Sequence, residues 1–372
     1  RTIAYYGAFR EGQLVGGMRH FDFTMNAFGA QVLTGGVGLV AVDLFHKKQH
    51  IAKNLIEYFL RHYRERGAPF AALYPFRPDF YKQMGFGYGT KTNEYRVKPA
   101  DLPAGDRGGV ARLTATDASA LAAFYARMQA STHGLMQRAE GEFARRLANT
   151  QNYLVGVSQG GELAGYLAFT FRLDPTSEYG KPDVEVSELH YANPAALHSL
   201  LAFLRSQSDQ ALTVVLRTQD AHFHELFSDP RNGSGAIIPH VVMAHVTNTA
   251  GVGIMYRVLD TAAAFRTLAG HDFGGVSLRL KIAVRDDFLP ENDGSLVVVF
   301  REGLPEVAAG ADVAYDAEIA LPVAEFSSLL LGVVPFRSLF EHGLATLDDT
   351  SRIEAVDRLF RTSTPPICYT GF

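Results

Sequence analysis

The 372-residue sequence holds one cysteine, Cys368, and no tryptophan. A lone cysteine excludes an internal disulfide and any cysteine-based zinc site. A reducing cytoplasm is the expected compartment. No apolar run approaches the ~20 residues that span a bilayer, so no transmembrane helix is expected. No signal peptide is legible. The chain opens at Arg1 without a methionine and runs straight into a strand-like stretch, so the natural start is expected upstream. Charge of neither sign dominates: the formal net charge is -4. Hydrophobic residues make up 47% and charged residues 20%, which excludes a disordered chain or a fibre. At ~100–200 residues per domain, the length predicts two or three domains.

What charge there is falls unevenly. Residues 1–100 contain 14 Lys+Arg and 7 Asp+Glu, a balance of +7, and -4 minus +7 leaves -11 for the remainder. A basic first third suits an anionic ligand such as a phosphate-bearing cofactor, and an acidic remainder suits a cationic substrate. Plain solvated faces explain the same numbers. The basic residues form one short cluster and not a long stripe, which argues against nucleic acid.

Alternating apolar residues predict strands over Ile3–Phe9, Leu14–Phe23 and Val32–Val42, with a tight turn at Glu11-Gly12. Over His46–Arg66 the apolar positions are Ile51, Leu55, Ile56, Phe59, Leu60 and Tyr63, a helical spacing stopped by Gly67. A strand over Phe70–Tyr74, a short helix over Arg77–Met84 and a strand over Phe86–Val97 follow. The Pro, Gly and Asp of Lys98–Gly109 predict a linker. A second mixed region has helices over Ala118–Gln129, Glu140–Leu147 and Pro194–Ser206. Its strands are expected at Asn152–Val157, Leu163–Phe171 and Ala211–Arg217, with Ala250–Leu259 strand-like and Thr261–Leu268 helical. A third unit begins near Val276, with helices at Val323–Leu330, Phe336–Glu341 and Ile353–Phe360.

Two runs carry chemistry. Gly38–Leu55 reads as a strand, a short basic loop and a helix start. The orphan N–H groups of a helix N-terminus form an anion site, and Lys48 and Lys53 add charge, so a pyrophosphate fits there. A merely basic helix end at the surface fits the same residues, because phosphate loops usually carry glycine here. The second run, Tyr74–Gly89, follows a strand and opens a short helix. A tyrosine there presents a weakly acidic phenol, suited to protonating a thiolate leaving group. A core aromatic is the plainer reading of an isolated tyrosine.

Together these runs resemble the GNAT acetyltransferases and, more closely, the Eis (enhanced intracellular survival) family of aminoglycoside acetyltransferases. The matching pieces are Val40-Ala41-Val42, the basic helix start after it, Phe80–Gly89 and the terminal aromatic Phe372. The resemblance spans nearly the whole chain and implies an α+β fold. Tandem GNAT-like regions would occupy 1–105, with an N-terminal portion missing, and 106–268, and a sterol-carrier-protein-like domain would occupy 269–372. It implies an acetyl-CoA-dependent N-acetyltransferase acting on a cationic, aminoglycoside-like or lysine-like amine by direct attack on the thioester. It also implies a hexamer; from the residues, no metal, no nucleic acid and no membrane are expected as partners.

Carried over residue by residue, Val40, Ala41 and Val42 would hold the pantetheine arm and acetyl carbonyl through backbone groups. Lys48, Gln49, His50, Ile51, Ala52 and Lys53 would wrap the pyrophosphate, and Phe76 and Arg77 would contact the cofactor. Tyr81 would be the general acid and the α-carboxylate of Phe372 the base. The loop departs from the family's Arg/Gln-x-x-Gly-x-Gly/Ala pattern, with Lys47 first and His50 in the glycine place; only Ala52 fits. That substitution motivates the alternative of a catalytically inactive CoA- or lipid-binding protein. The absence of tryptophan removes any Trp-lined acceptor wall.

Three other features carry less. His222 and His224 at i, i+2 fall on different helix faces, which disfavours chelation. Gly36-Val37-Gly38 precedes a strand and not a helix, so it is not a dinucleotide fingerprint. Cys368 has no catalytic partner beside it in sequence.

Overall fold

The computed structural model describes residues 2–173, 180–239, 242–310 and 313–372. The chain forms two compact units. The first takes the stretch up to Thr90, Gln129–Gln137 and Val252–Phe372; the second takes Lys91–Met128 and Arg138–Gly251.

In the first unit, β1 (Thr2–Arg10), β2 (Gln13–Ala27) and β3 (Ala30–Val42) form an antiparallel meander. The β1–β2 turn falls at Glu11-Gly12, where both residues have positive φ, as a tight hairpin requires. Helix α1 (Ile51–Glu65) crosses over to β4 (Phe70–Leu73), which runs parallel to β3. Its buried residues are Ile51, Leu55, Ile56, Phe59, Leu60 and Tyr63, the same six that the spacing predicts. The helix starts at Ile51 and not near His46, because 44–46 form a separate 3-10 turn. Helix α2 (Pro78–Lys82) leads to β5 (Gly87–Tyr88). The sheet order is β1-β2-β3-β4, then the strand Met255–Val258, then β5.

The same unit holds a five-stranded sheet in the order Leu304–Val307, Gly294–Arg301, Leu278–Arg285, Ala317–Pro322 and Thr346–Leu347. Helices Val323–Leu330, Phe336–Glu341 and Ile353–Phe360 match their expected bounds. One apolar cluster joins Phe21, Phe23 and Phe70 to Phe326, Leu329 and Phe360, so the two sheets share a core.

In the second unit a seven-stranded sheet carries the helix Pro194–Arg205, which buries Leu197, Leu200, Leu201 and Leu204. Two stretches expected as single strands are each divided. Phe86–Val97 splits into β5 and Thr92–Val97, and Ala250–Leu259 into Asn248–Gly251 and Met255–Val258, with the pieces in different sheets. The strand Pro182–Tyr191 was not expected from the sequence. Its buried side chains include Asp183, Glu188 and His190, and its register shifts between Val186 and Glu188, so the apolar alternation breaks.

Candidate active site

The site begins where two strands part. β3 pairs with β4 only from Thr34↔Phe70 to Val37↔Leu73. Beyond Val37, β3 runs on to Val42 with no described strand on its β4 side. The backbone N–H and C=O groups of Gly38–Val42 that face away from β2 are thereby left to pair with something else. A bulge falls in the same place. Gly17 faces Ala41 and Arg19 faces Gly38, so β3 carries one residue more than β2 between these pairs. Leu39 absorbs it with φ 51° and lies exposed. Bulges re-aim backbone groups beside active sites.

After β3, Lys47, Lys48, Gln49 and His50 lead to the N-terminus of α1. Lys48 (φ 62°) and His50 (φ 60°) both adopt the left-handed conformation. His50 thus keeps the backbone shape that glycine would supply, at the energetic cost of a Cβ. No acidic residue lies in the first turn of α1. Its free N–H groups and Lys48 form an electropositive helix end of the kind that accepts phosphate. Gln49 accepts a hydrogen bond from Arg10, and Lys53 lies over the Phe288 ring at 5.4 Å. Ile51 is buried and Ala52 half-buried.

Tyr81 on α2 is buried, and desolvation pushes its phenol up to about 12, so it holds its proton throughout the neutral range. It belongs to the apolar cluster against which Val40 and Val42 pack. Its ring meets Phe76 edge-on at 5.7 Å and Phe80 at 5.3 Å. Phe76 itself is exposed. Arg77 precedes the first turn of α2 and binds Asp79 of its own helix. Lys82, the next residue after Tyr81, forms an ion pair with Glu325 at 2.9 Å. Just beyond α2, Gly85 has φ 83° and abuts the fully buried Arg257, which binds both carboxylate oxygens of Asp286 at 2.8 and 3.0 Å.

The C-terminal tail is tied down along its length. Thr90 Oγ1 donates to the Pro366 carbonyl at 2.7 Å, and the Ile367 N–H to the His133 carbonyl at 2.9 Å. Cys368 and Thr370 are buried. Phe372 lays its ring 4.7 Å from that of Phe23, 5.4 Å from Phe21 and 5.3 Å from Tyr74. A Cβ placed on Gly38 would stand 3.1 Å from the Phe372 main-chain carboxyl carbon. One placed on Gly36 would stand 3.1 Å from the Phe372 ring. The last residue therefore lies against β3 where it leaves β4.

Sequence reasoning missed Gly36 and Gly38 as a seat for the tail, and missed Tyr74, Arg19 and the Arg257–Asp286 pair. The glycines had a signal: on alternate positions of a strand they mark the close approach of another segment. Among the described residues no group of three or more His, Cys, Asp or Glu is placed to hold a metal. His224 instead lies beside Glu225, at 3.2 Å.

Comparison with known proteins gives three domain matches. Residues 2–89 and 134–258 each match an acetyltransferase (GNAT) domain, and residues 263–369 match a sterol carrier protein domain. The chain is 26% identical to an uncharacterized N-acetyltransferase of Streptomyces coelicolor, over 87% of this chain and 78% of that one. It is 25% identical to another from Streptomyces griseus, over 97% and 88%. In fold it is similar to a GCN5-related N-acetyltransferase from Anabaena variabilis (TM-score 0.81, 18% identity, 99% of this chain and 89% of that one). It is likewise similar to Eis1 from Mycobacterium abscessus (TM-score 0.78, 24% identity, 99% and 91%). With two GNAT domains, a sterol carrier protein domain after them and N-acetyltransferases as relatives, this chain is a GNAT-family N-acetyltransferase of Eis-like architecture.

Proposed function

We propose that the protein transfers acetyl from acetyl-CoA to a cationic amine in the β3–β4 cleft, with Tyr81 as the acid and the Phe372 α-carboxylate as the base. The observation that carries this reading is the Phe372 carboxyl carbon lying against Gly38, beside the unpaired edge of β3.

Acetyl-CoA supplies the thioester. The residues present suit it: an extended backbone edge at Gly38–Val42 for the amide-bearing arm, and the electropositive start of α1 for the pyrophosphate. The left-handed backbone at His50 supports this over an inactive protein, since it keeps the loop in a glycine-like path.

A primary amine, with a pKa of ~10, is mostly protonated at neutral pH and is then not a nucleophile. The Phe372 carboxylate attracts the ammonium and takes one proton from it, directly or through water. The freed amine attacks the carbonyl carbon, the C–S bond breaks, Tyr81 gives its proton to the departing sulfur, and the new amide nitrogen sheds its surplus proton to water, from which Tyr81 is reprotonated. A phenol held protonated by burial suits that task. Val40, Ala41 and Val42 present backbone groups to the carbonyl. Phe76 and Arg77 flank the cofactor near α2. Among the described residues no helix is long and apolar enough to cross a membrane. The oligomer that the resemblance implies, a hexamer, is read by light scattering; a monomer would remove it.

The test follows thiol release from acetyl-CoA with a panel of amines. Tyr81→Phe should slow release at least tenfold, within the ~10²–10⁴ range of general acid–base catalysis. An unchanged rate would remove Tyr81 from the mechanism.

A further inference from the structure

Gly38 shares its sheet face with an unusual cation. In the β2–β3 register Arg19 stands opposite Gly38, and Phe21 opposite Gly36. Residues directly opposite in an antiparallel pair project to the same face. The contacts agree: the Arg19 guanidinium lies over the Phe21 ring at 4.5 Å, and the Phe21 ring is 5.4 Å from that of Phe372. A Cβ on Gly38 would meet Phe21 as well as the Phe372 carboxyl group. On the other side of Arg19, β1 sets the exposed Tyr5 opposite it.

The guanidinium is held by stacking and not by an acid. Arg19 makes no hydrogen bond or ion pair with a described residue, and its Nε is buried without a partner. Most other arginines of the first unit are matched: Arg64 to Asp260, Arg66 to Asp22, Arg77 to Asp79 and Arg257 to Asp286. No hydrogen bond joins Arg19 to Phe372 either. A fixed cation and a main-chain carboxylate therefore share one face, each without a protein partner among the described residues.

We propose that Arg19 is the specificity-determining residue of the acceptor subsite, and that the acceptor is an amine which also carries a carboxylate or phosphate. This rests on the reading of Phe372 as the base. The acceptor's ammonium faces the Phe372 carboxylate while its anionic group takes the fork of Arg19, whose paired N–H groups match a carboxylate or phosphate. Stacking on Phe21 orients that fork. An acceptor with a second ammonium in place of the acid is repelled by the same cation.

The experiment measures kcat/KM by thiol release with matched acceptors: n-alkylamines, the corresponding ω-amino acids and aminoalkyl phosphates, and diamines of equal length. Wild type should favour an acid-bearing amine over the alkylamine at least tenfold and should disfavour the diamine. Arg19→Gln should lower the acid-bearing to neutral ratio at least tenfold, mainly through KM, and Arg19→Lys should restore part of it. The stronger of the carboxylate and phosphate arms names the group. An equal loss on every acceptor in Arg19→Gln, or a wild-type preference for diamines, would overturn the proposal. Calorimetric titration of the same amines separates it from the transfer reading. Acid-bearing amines that bind wild type tenfold tighter than Arg19→Gln, without thiol release, would leave the anion site standing and remove the catalysis. Equal binding to both proteins would remove the anion site.

Discussion

Gly38 is the residue where strand geometry and chemistry meet. At 3.1 Å, a methyl group there would press on the Phe372 carboxyl carbon, and the end of the chain would have to give way. Gly38→Ala should therefore lower acetyl transfer at least tenfold while leaving the thermal midpoint little changed, because the tail is also held at Pro366 and Ile367. Steady-state rates and a melting curve on the same sample check this. His133 makes a different residue-scale prediction. Its Nδ1 accepts from the Phe28 N–H at 3.2 Å and its Nε2–H donates to the Leu331 carbonyl at 3.0 Å, which fixes the neutral ring. Burial lowers its pKa from 6.5 to about 4. The unfolded chain thus takes up a proton near pH 6.5 that the folded chain refuses until about pH 4. Stability from this group is whole above pH 6.5 and drains as the pH falls toward 4, by at most ~1.4 kcal/mol per pH unit. Urea midpoints measured across that window should fall, and His133→Gln should flatten the fall.

At the scale of elements, α2 is braced from its C-terminal side. Gly85 ends the turn after it, Arg257 abuts Gly85, and Asp286 binds Arg257 while also accepting the Leu289 N–H at 2.9 Å and Asn292 Nδ2 at 3.1 Å. Burial lowers the pKa of Arg257, a sign that its charge depends on Asp286. Asp286→Ala should cost ~3–5 kcal/mol in urea unfolding, since it strands a buried guanidinium. Removing the exposed Arg301–Glu306 pair should cost no more than ~1 kcal/mol. Local pattern made many elements legible. The face of α1 was readable because a helix period of 3.6 repeats over four turns. The strand Pro182–Tyr191 was not, because buried Asp183, Glu188 and His190 imitate a loop. The breaks after β5 and after Gly251 were not, because a continuous strand-like stretch does not record a change of sheet.

For the whole molecule, the loop at Lys48–Lys53 and the aromatic run around Tyr81 could be found in the sequence, since each is a local motif. The seat of Phe372 is a tertiary fact. It depends on β3 outrunning β4, on a bulge at Leu39 and on a tail anchored by Thr90 and His133, none of which has a local spacing. Only the glycines at 36 and 38 hinted at it. The proposed transfer turns on a main-chain carboxylate at Phe372 removing the acceptor's proton. It is tested most directly by adding one glycine after Phe372, which turns that carboxylate into a neutral amide and leaves the ring to pack as before. With saturating acetyl-CoA and a reactive amine, thiol release should fall at least tenfold, within the ~10²–10⁴ range of acid–base catalysis. Release at the parent rate from the extended chain would show that the Phe372 carboxylate is not the base.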